Sequence, residues 1–188
     1  SGAADDYFTN LSWSPDEKFI LVAEVNRDQN HMWLNCYDAT TGAFVKTLFE
    51  EKNDKWVEPE HASFFPSASS NNFVWISERD GFNNLYYYSI DGKLIKQLTA
   101  NKFVVKDIVK AIKDGKEIIF TATGTSPLNT LYYAVDLNGK QRCLTIEEGT
   151  HNIAMNDAAT MFVDQYSSHN VPSKSELKSS TGKIIRTL

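Results

Sequence analysis

The four histidines are the side chains of this sequence best suited to acid–base chemistry or metal binding. They are His31, His61, His151 and His169. They lie far apart along the chain, and none belongs to an H-x₃-H or HExxH pattern. We therefore expect polar turn residues or local hydrogen-bond donors, with no metal and no cofactor. A metal site assembled from distant residues is the alternative.

A serine nucleophile is the second chemistry to consider. It requires a G-x-S-x-G turn, with a histidine and a carboxylate close by in the fold. Residues 124–128 (GTSPL) come closest to this motif, but they lack the second glycine, and Pro127 does not suit the helix that must follow. We expect Ser126 to lie in a hairpin loop and predict that this chain alone has no catalytic triad and is inactive.

Residues 50–61 combine carboxylates with an aromatic side chain. The carboxylates are Glu50, Glu51, Asp54, Glu58 and Glu60, and Trp56 and His61 lie among them. Paired carboxylates beside an aromatic face can bind a cationic group such as a peptide amine. The candidate substrate-binding residues are Trp56, Glu58, Glu60 and His61. A solvated connecting loop is the alternative interpretation.

Two Arg-Asp pairs, Arg27-Asp28 and Arg79-Asp80, recur at equivalent places in the chain. We interpret both as structural turns. The carboxylate is expected to accept backbone N–H bonds, and the guanidinium can pair with a neighbouring repeat.

These residues lie within an internal repeat. Residues 77–98 (SERDGFNNLYYYSIDGKLIKQL) read as a polar turn, an aromatic strand, a hairpin turn and an alternating strand. The same layout recurs in residues 26–48 and 123–145, and a degenerate copy of it runs from 166 to 188. The hairpin glycines Gly42, Gly92, Gly139 and Gly182 are 50, 47 and 43 residues apart. A repeat of this length predicts a modular fold.

Each repeat also has a first half, as in LSWSPDE followed by FILVAE in residues 11–24. Each unit then contains four antiparallel strands. The four units are placed at about 8–49, 56–100, 103–147 and 150–188. This predicts an all-β fragment of a β-propeller, open and cut from a longer ring. Residues 106–119 also have helix-like spacing, but Asp114-Gly115 falls where the other repeats turn.

Composition excludes several classes of protein. The 41% hydrophobic and 23% charged residues fit a folded chain, and 12% aromatic residues favour strands. The net charge of −5 without a basic patch argues against nucleic acid as a partner, and no apolar run is long enough for membrane insertion. We expect Cys36 and Cys143 to be small buried thiols, although a disulfide is possible in an oxidising compartment.

Several motifs resemble the β-propeller of the dipeptidyl peptidase IV family of serine peptidases, within the prolyl oligopeptidase clan. They are LSWSPDE in residues 11–17, NRDQN in 26–30, KWVEPEH in 55–61, FVWISERDGFNNLY in 73–86 and GKLIKQLT in 92–99. The resemblance covers nearly the whole chain, and WVEPEH and SERDGFNNLY are its most specific parts.

The resemblance implies an eight-bladed propeller of which this chain is the second half, followed in the parent by an α/β-hydrolase domain carrying Ser, Asp and His. That enzyme would remove dipeptides from peptide N-termini in the periplasm or cell envelope, and a homodimer is an assembly to consider. Nothing here matches the paired-glutamate motif that holds the substrate amine in the family, so Glu58 and Glu60 are not equated with it.

We therefore expect a noncatalytic propeller portion that gates and orients peptide N-termini for a separate hydrolase domain. The alternative is a stand-alone propeller scaffold, similar to TolB-type proteins, that binds a protein or peptide. A carbohydrate-binding or lyase propeller would need a basic or metal-bearing channel, and the sequence shows no such cluster.

Overall fold

The computed structural model describes residues 5–188, and the Ser1-Gly2-Ala3 segment, which resembles a trimmed end, lies outside that range. The strands are β1 (Tyr7–Trp13), β2 (Phe19–Val25), β3 (His31–Asp38), β4 (Phe44–Lys52), β5 (Phe73–Ser77), β6 (Asn84–Tyr88), β7 (Leu94–Gln97), β8 (Val105–Ile112), β9 (Glu117–Ala122), β10 (Leu131–Asp136), β11 (Gln141–Cys143), β12 (Thr150–Met155), β13 (Met161–Ser168), β14 (Val171–Ser179) and β15 (Ile184–Thr187). Residues 5–188 contain no helix, so none long and apolar enough to cross a membrane is found there. The all-β prediction is confirmed.

The strands form antiparallel meanders within two compact units. The first unit ends at Gln97 and holds the sheets β1-β2-β3-β4 and β5-β6-β7. The second begins at Leu98 and holds the sheets β8-β9-β10-β11 and β12-β13-β14-β15. Strands β5, β6 and β9 are buried along their whole length, whereas β15 is exposed throughout. The last sheet therefore ends on an exposed edge strand, whereas β5, β6 and β9 are core strands.

The second sheet departs from the predicted four strands. Residues 62–66 form only an isolated bridge, in which Phe64 and Val74 exchange backbone hydrogen bonds of 3.0 and 2.7 Å. Pro66 ends this segment without an N–H to donate, so the bridge cannot extend into a full ladder strand.

The helical alternative for residues 106–119 is wrong. Strands β8 and β9 pair there as a hairpin, with Ile112 opposite Glu117. Lys113, Asp114 and Gly115 all have positive φ, between 53° and 82°. Three consecutive left-handed residues cannot continue a right-handed helix, so this turn fixes the segment as two strands.

The core of the first unit is built from aromatic and aliphatic side chains of both its sheets. Phe49 stacks on Tyr88 at 4.4 Å between ring centroids, and Phe73 stacks on Tyr88 at 5.6 Å. Cys36 is a buried free thiol in this unit, whereas Cys143 is a half-buried free thiol in the second unit. Burial raises the pKa of both thiols, which agrees with the interpretation as small packed side chains.

Candidate functional site

The first unit has a small pocket beside the predicted acidic segment. Its volume is about 230 Å³, and it is lined by Glu50, Glu51, Lys52, Asn53, Trp56, Val57, Glu78 and Arg79. Val57 is buried and its N–H donates to the carbonyl of Gln29 at 2.6 Å, which anchors the connection after β4. Trp56 precedes this anchor and remains 59% exposed, so its ring is available to a ligand.

Arg79 forms one wall of the pocket and is held from several sides. Its guanidinium pairs with Glu51 of β4, donates to the Tyr88 hydroxyl at 2.7 Å, and lies 4.3 Å from the ring centroid of Tyr86. Burial disfavours the charge of Arg79, but the Glu51 carboxylate outweighs it and the pKa of Arg79 is raised. The predicted pairing of this guanidinium with a neighbouring repeat is therefore confirmed.

Asp80 and Arg27, one residue from each Arg-Asp pair, behave differently from the prediction. The Asp80 carboxylate accepts hydrogen bonds from side chains, the Tyr86 hydroxyl at 2.6 Å and the Gln97 amide at 2.8 Å. These donors lie on the two strands that follow the turn, so Asp80 fastens the turn to its own sheet. Arg27 packs over the ring of Tyr7 of β1, which belongs to its own sheet.

The predicted substrate-binding residues divide into two places. Trp56 lines the pocket together with Glu51 and Glu78, whereas Glu58, Glu60 and His61 follow farther along the connection. Glu60 and His61 lie beside each other, with 3.8 Å between Oε2 and Nε2.

Glu78 is a pocket residue that sequence reasoning missed. It is exposed and directly precedes the Arg79-Asp80 turn that the repeat had marked. The other two glutamates that line the pocket already have partners, because Glu50 pairs with His31 at 2.8 Å and Glu51 pairs with Arg79. An exposed carboxylate beside an exposed tryptophan suits a cationic side chain.

The second unit contains a buried cluster of charged side chains that the sequence did not predict. The ammonium of Lys178 lies 2.7 Å from Glu147, 2.8 Å from Asp164 and 3.3 Å from Glu176. The side chains of His151 and Asp164 are fully buried, and Nδ1 of His151 is 2.9 Å from Oδ1 of Asp164. His151 is therefore a strand residue inside the unit, not the turn residue that we expected.

The cluster is built for holding charge and not for catalysis. The second ring nitrogen of His151 is 2.8 Å from the Glu147 carbonyl oxygen, so neither nitrogen is free to act on a substrate. Burial alone would raise the pKa of Asp164, but hydrogen bonds from His151 and Lys178 hold it below its usual value. Burial disfavours the charge of Lys178, but the carboxylates of Asp164 and Glu147 outweigh it and raise the pKa of Lys178.

A metal would compete with Lys178 for this position. Glu147, His151 and Asp164 offer ligand atoms that lie within 4.8 Å of one another. The Lys178 ammonium already contacts two of these three residues and supplies the positive charge that a metal would bring. The arrangement is therefore a closed ionic cluster.

Ser126 and His169 lie in turns, as we expected, whereas His31 is a strand residue and not a turn residue. Ser126 is in the hairpin loop between β9 and β10, and its Oγ accepts a hydrogen bond from the Leu128 N–H at 3.4 Å. His169 is an exposed residue of the β13–β14 turn. His31 lies in β3 and packs against Trp33, with 3.6 Å between ring centroids.

Comparison with known proteins places these features in a family. The family model for the dipeptidyl peptidase IV (DPP IV) N-terminal region matches residues 1–173. Two curated relatives, each a probable dipeptidyl-aminopeptidase B, come from Arthroderma gypseum and Arthroderma otae. They are 26% and 25% identical, over 81% of this chain and 18% of their own length.

Two solved structures superpose on the whole chain. Porphyromonas gingivalis dipeptidyl peptidase 4 gives a TM-score of 0.82 at 23% identity, and 26% of it is covered. A putative dipeptidyl aminopeptidase IV from Bacteroides ovatus gives 0.84 at 33% identity, and 30% of it is covered. This chain thus spans less than a third of each relative. It belongs to the family of dipeptidyl peptidase IV N-terminal regions and has the all-β fold of a propeller fragment.

Proposed function

We propose that this chain is the noncatalytic β-propeller portion of a dipeptidyl peptidase IV-like serine exopeptidase, gating and orienting peptide N-termini for a separate α/β-hydrolase domain. The observation that carries the proposal is the family match over residues 1–173. A wall of blades excludes folded substrates and admits thin, extended chain ends, which gives specificity by exclusion. The blades would lie at about 8–49, 56–100, 103–147 and 150–188.

The parent protein supplies the partners in this proposal. They are the α/β-hydrolase domain of the same chain, the peptide substrate and, as an assembly to test, a second copy of the parent. The location we propose is the periplasm or cell envelope. The catalytic serine, aspartate and histidine would all come from the hydrolase domain.

A paired activity assay tests this proposal. A glycyl-prolyl chromogenic substrate is given to this chain and to the protein encoded by its full natural gene. We expect cleavage by the gene-length protein only, and we expect a serine-directed inhibitor to stop it. A silent gene-length protein, or a natural gene that ends near Leu188, would overturn the proposal.

The pocket at Trp56 is the proposed contact for the substrate beyond its terminal dipeptide. Exposed cation–π pairs contribute about 0.5–1 kcal/mol, and 1.4 kcal/mol is tenfold in affinity. In the active gene-length enzyme, Trp56→Ala should therefore raise KM about two- to fivefold for peptides carrying a downstream lysine or arginine. Steady-state kinetics on matched peptides with a neutral residue there provide the control. An equal rise in KM for both peptides would show that Trp56 does not recognise the cationic side chain.

The second candidate function is a scaffold that binds a protein or peptide, as in TolB-like propellers. The observation that favours it is the row of exposed apolar side chains on β1, where Phe8, Leu11 and Trp13 are all more than half exposed. Such a patch marks an interaction surface. The activity assay separates the two candidates, because a scaffold predicts no peptidase activity at gene length.

A further inference from the structure

We propose that the second unit binds a phosphoryl dianion, either free phosphate or the phosphate group of a small monoester, in a basic pocket between its two sheets. The pocket lies where the β8–β9 turn meets the β10–β11 and β14–β15 hairpins. Its volume is about 600 Å³, which is within the range of small-molecule sites in proteins. Its cationic side chains are Lys113, Lys116, Lys140 and Arg142. The Trp56 pocket is a different place, because it lies in the first unit.

The pocket concentrates positive charge in a chain that is acidic as a whole. Four cationic side chains line it against two carboxylates, those of Glu117 and Asp136, whereas the net charge of the chain is −5. The sequence alone shows no basic cluster, because the four cations come from two turns and a strand that only the fold brings together. An excess of two positive charges at one place is matched by an anion with two negative charges.

Both carboxylates of the pocket already have partners. Glu117 is 2% exposed, and its carboxylate pairs with Lys113 and Arg142 at once. Oδ1 of Asp136 accepts two backbone N–H groups of its own hairpin, each at 2.9 Å. Neither carboxylate is therefore available to neutralise the remaining cations, and the positive excess is open to a ligand.

Arg142 is the most firmly placed cation of the site. It lies in β11, its guanidinium pairs with Glu117 of β9, and its Nη2 donates to the carbonyl oxygen of Ser180 at 3.4 Å. Its Nε is buried and has no hydrogen-bond partner within residues 5–188. A buried donor without a partner is rare in folded proteins and calls for an acceptor. A bound oxyanion supplies one.

Lys116 and Lys140 supply the two unpaired charges. Both side chains are exposed, and in the part of the chain that the structure describes neither ammonium pairs with a carboxylate. Their turns are fastened to each other, because the Leu137 N–H donates to the Lys116 carbonyl at 3.3 Å. The two ammonium groups therefore approach one ligand from adjacent turns of the same sheet.

The β14–β15 hairpin forms the third wall and adds hydroxyl donors. Ser180 and Thr181 line the pocket from this side. Gly182 in the same hairpin has a φ of +86°, and a Cβ there would overlap with the carbonyl oxygen of Leu144, directly after β11. The hairpin is thus packed against the neighbouring sheet before any ligand binds, which lowers the entropy cost of binding.

The donors of the pocket favour a phosphoryl group over a carboxylate. A phosphate monoester carries a charge of about −1.5 to −2 at neutral pH and three strong acceptor oxygens. A carboxylate carries a single charge and two oxygens. Guanidinium, ammonium and hydroxyl donors reach this pocket from three segments, and a guanidinium matches phosphate oxygens in geometry. A phosphoryl dianion therefore fits both the charge excess and the number of donors.

Amide NMR of the nitrogen-15-labelled 188-residue chain tests the site. Inorganic phosphate, glycerol 2-phosphate and acetate are titrated separately at constant ionic strength and at about pH 8, above the second phosphate pKa of about 6. We expect saturable shifts in residues 113–117, 137–142 and 180–182 with phosphate, at concentrations where acetate leaves them unchanged. Saturation by phosphate alone would assign the site to the free ion, and saturation by both phosphates would extend it to monoesters. No saturable shift with either, or equal shifts with acetate, would overturn the proposal.

Charge-removing variants locate the binding in the pocket. Lys116→Gln and Lys140→Gln each remove an exposed ammonium that has no ion pair to lose, so both chains should fold. Each should weaken phosphate binding about two- to fivefold, the effect of one exposed ion pair, and the double variant should weaken it further. Lys174→Gln is the matched control, because Lys174 is exposed near the start of β14, away from the hairpin that lines the pocket. A loss of affinity in Lys174→Gln as large as in the other two would mean that phosphate responds to overall charge, and the pocket would be rejected.

Discussion

Lys178→Met should lower the free energy of unfolding of the second unit by about 3–5 kcal/mol, the loss found when one partner of a buried ion pair is removed. The ammonium is within 3.3 Å of Glu147, Asp164 and Glu176, and the lysine side chain is 1% exposed. Methionine keeps much of the volume but leaves these carboxylates without their shared cation. The fully buried Asp164 would bear most of the penalty, because water cannot replace the lost contact.

Urea unfolding followed by far-UV circular dichroism measures this loss. All four tryptophans, Trp13, Trp33, Trp56 and Trp75, precede residue 98, so tryptophan fluorescence does not report directly on the second unit. Lys174→Met is the control, because Lys174 is an exposed residue of the same strand. We expect that change to stay within about 0.5 kcal/mol of the wild type.

The penalty of Lys178→Met should also depend on pH in a defined direction. The pKa of Asp164 is held below the usual 3.8 in the folded chain. The stabilisation from this carboxylate is therefore present above that value and is lost as pH falls and the group is protonated. The penalty should shrink towards acid, and a penalty that is equal at neutral and acidic pH would contradict an electrostatic origin.

Local signals explain why so much of the fold was predictable. The aromatic strand at residues 85–90 and the hairpin glycine at 92 are specified within a few residues of each other, and a hairpin glycine recurs in every repeat. The second sheet was the exception, because Pro66 has no N–H to donate and the segment before it forms only an isolated bridge. Turn chemistry and strand periodicity are carried by neighbouring residues, so a single sequence can show them.

The charged cluster could not be predicted in the same way. Lys178 lies in SELKSS, a stretch that reads as an alternating, solvated edge strand. It becomes buried only because β14 pairs with β13 in a register that sets Glu176 opposite Asp164. His151 and Glu147 arrive from a third segment. Contacts that depend on the relative placement of three segments leave no periodic signal in the chain.

The pocket shows the same division between local and long-range information. Trp56 was identified from its place in an acidic segment, which is a local property. Glu78 was missed because its contribution depends on the turn after β5 facing the end of β4. The repeat predicted this turn, but it did not predict that the turn lies beside the end of β4. Arg79, which pairs with Glu51 across the two sheets, is the residue that connects the two places.

Gly92→Ala should destabilise the first unit substantially more than Gly42→Ala, although the sequence marks both as equivalent hairpin glycines. Gly42 has a φ of +70° and nothing within 4 Å of the position where a Cβ would stand. Gly42→Ala should therefore lower the free energy of unfolding only by the cost of the left-handed conformation, about 1–2 kcal/mol. Gly92 has a φ of +84°, and its Cβ would overlap with the backbone carbonyl of Leu48 in β4.

The additional loss at Gly92 should be about 1–3 kcal/mol, the usual range for overpacking a closely fitted site. The atom in the way is backbone, so a rotamer change cannot relieve the contact, and the β6–β7 hairpin must move away from the first sheet. Urea unfolding followed by tryptophan fluorescence measures both variants, since all four tryptophans lie in this unit. Equal losses for the two variants would mean that the hairpin does not dock on Leu48 closely enough to require glycine, and that Gly92 serves its own turn alone.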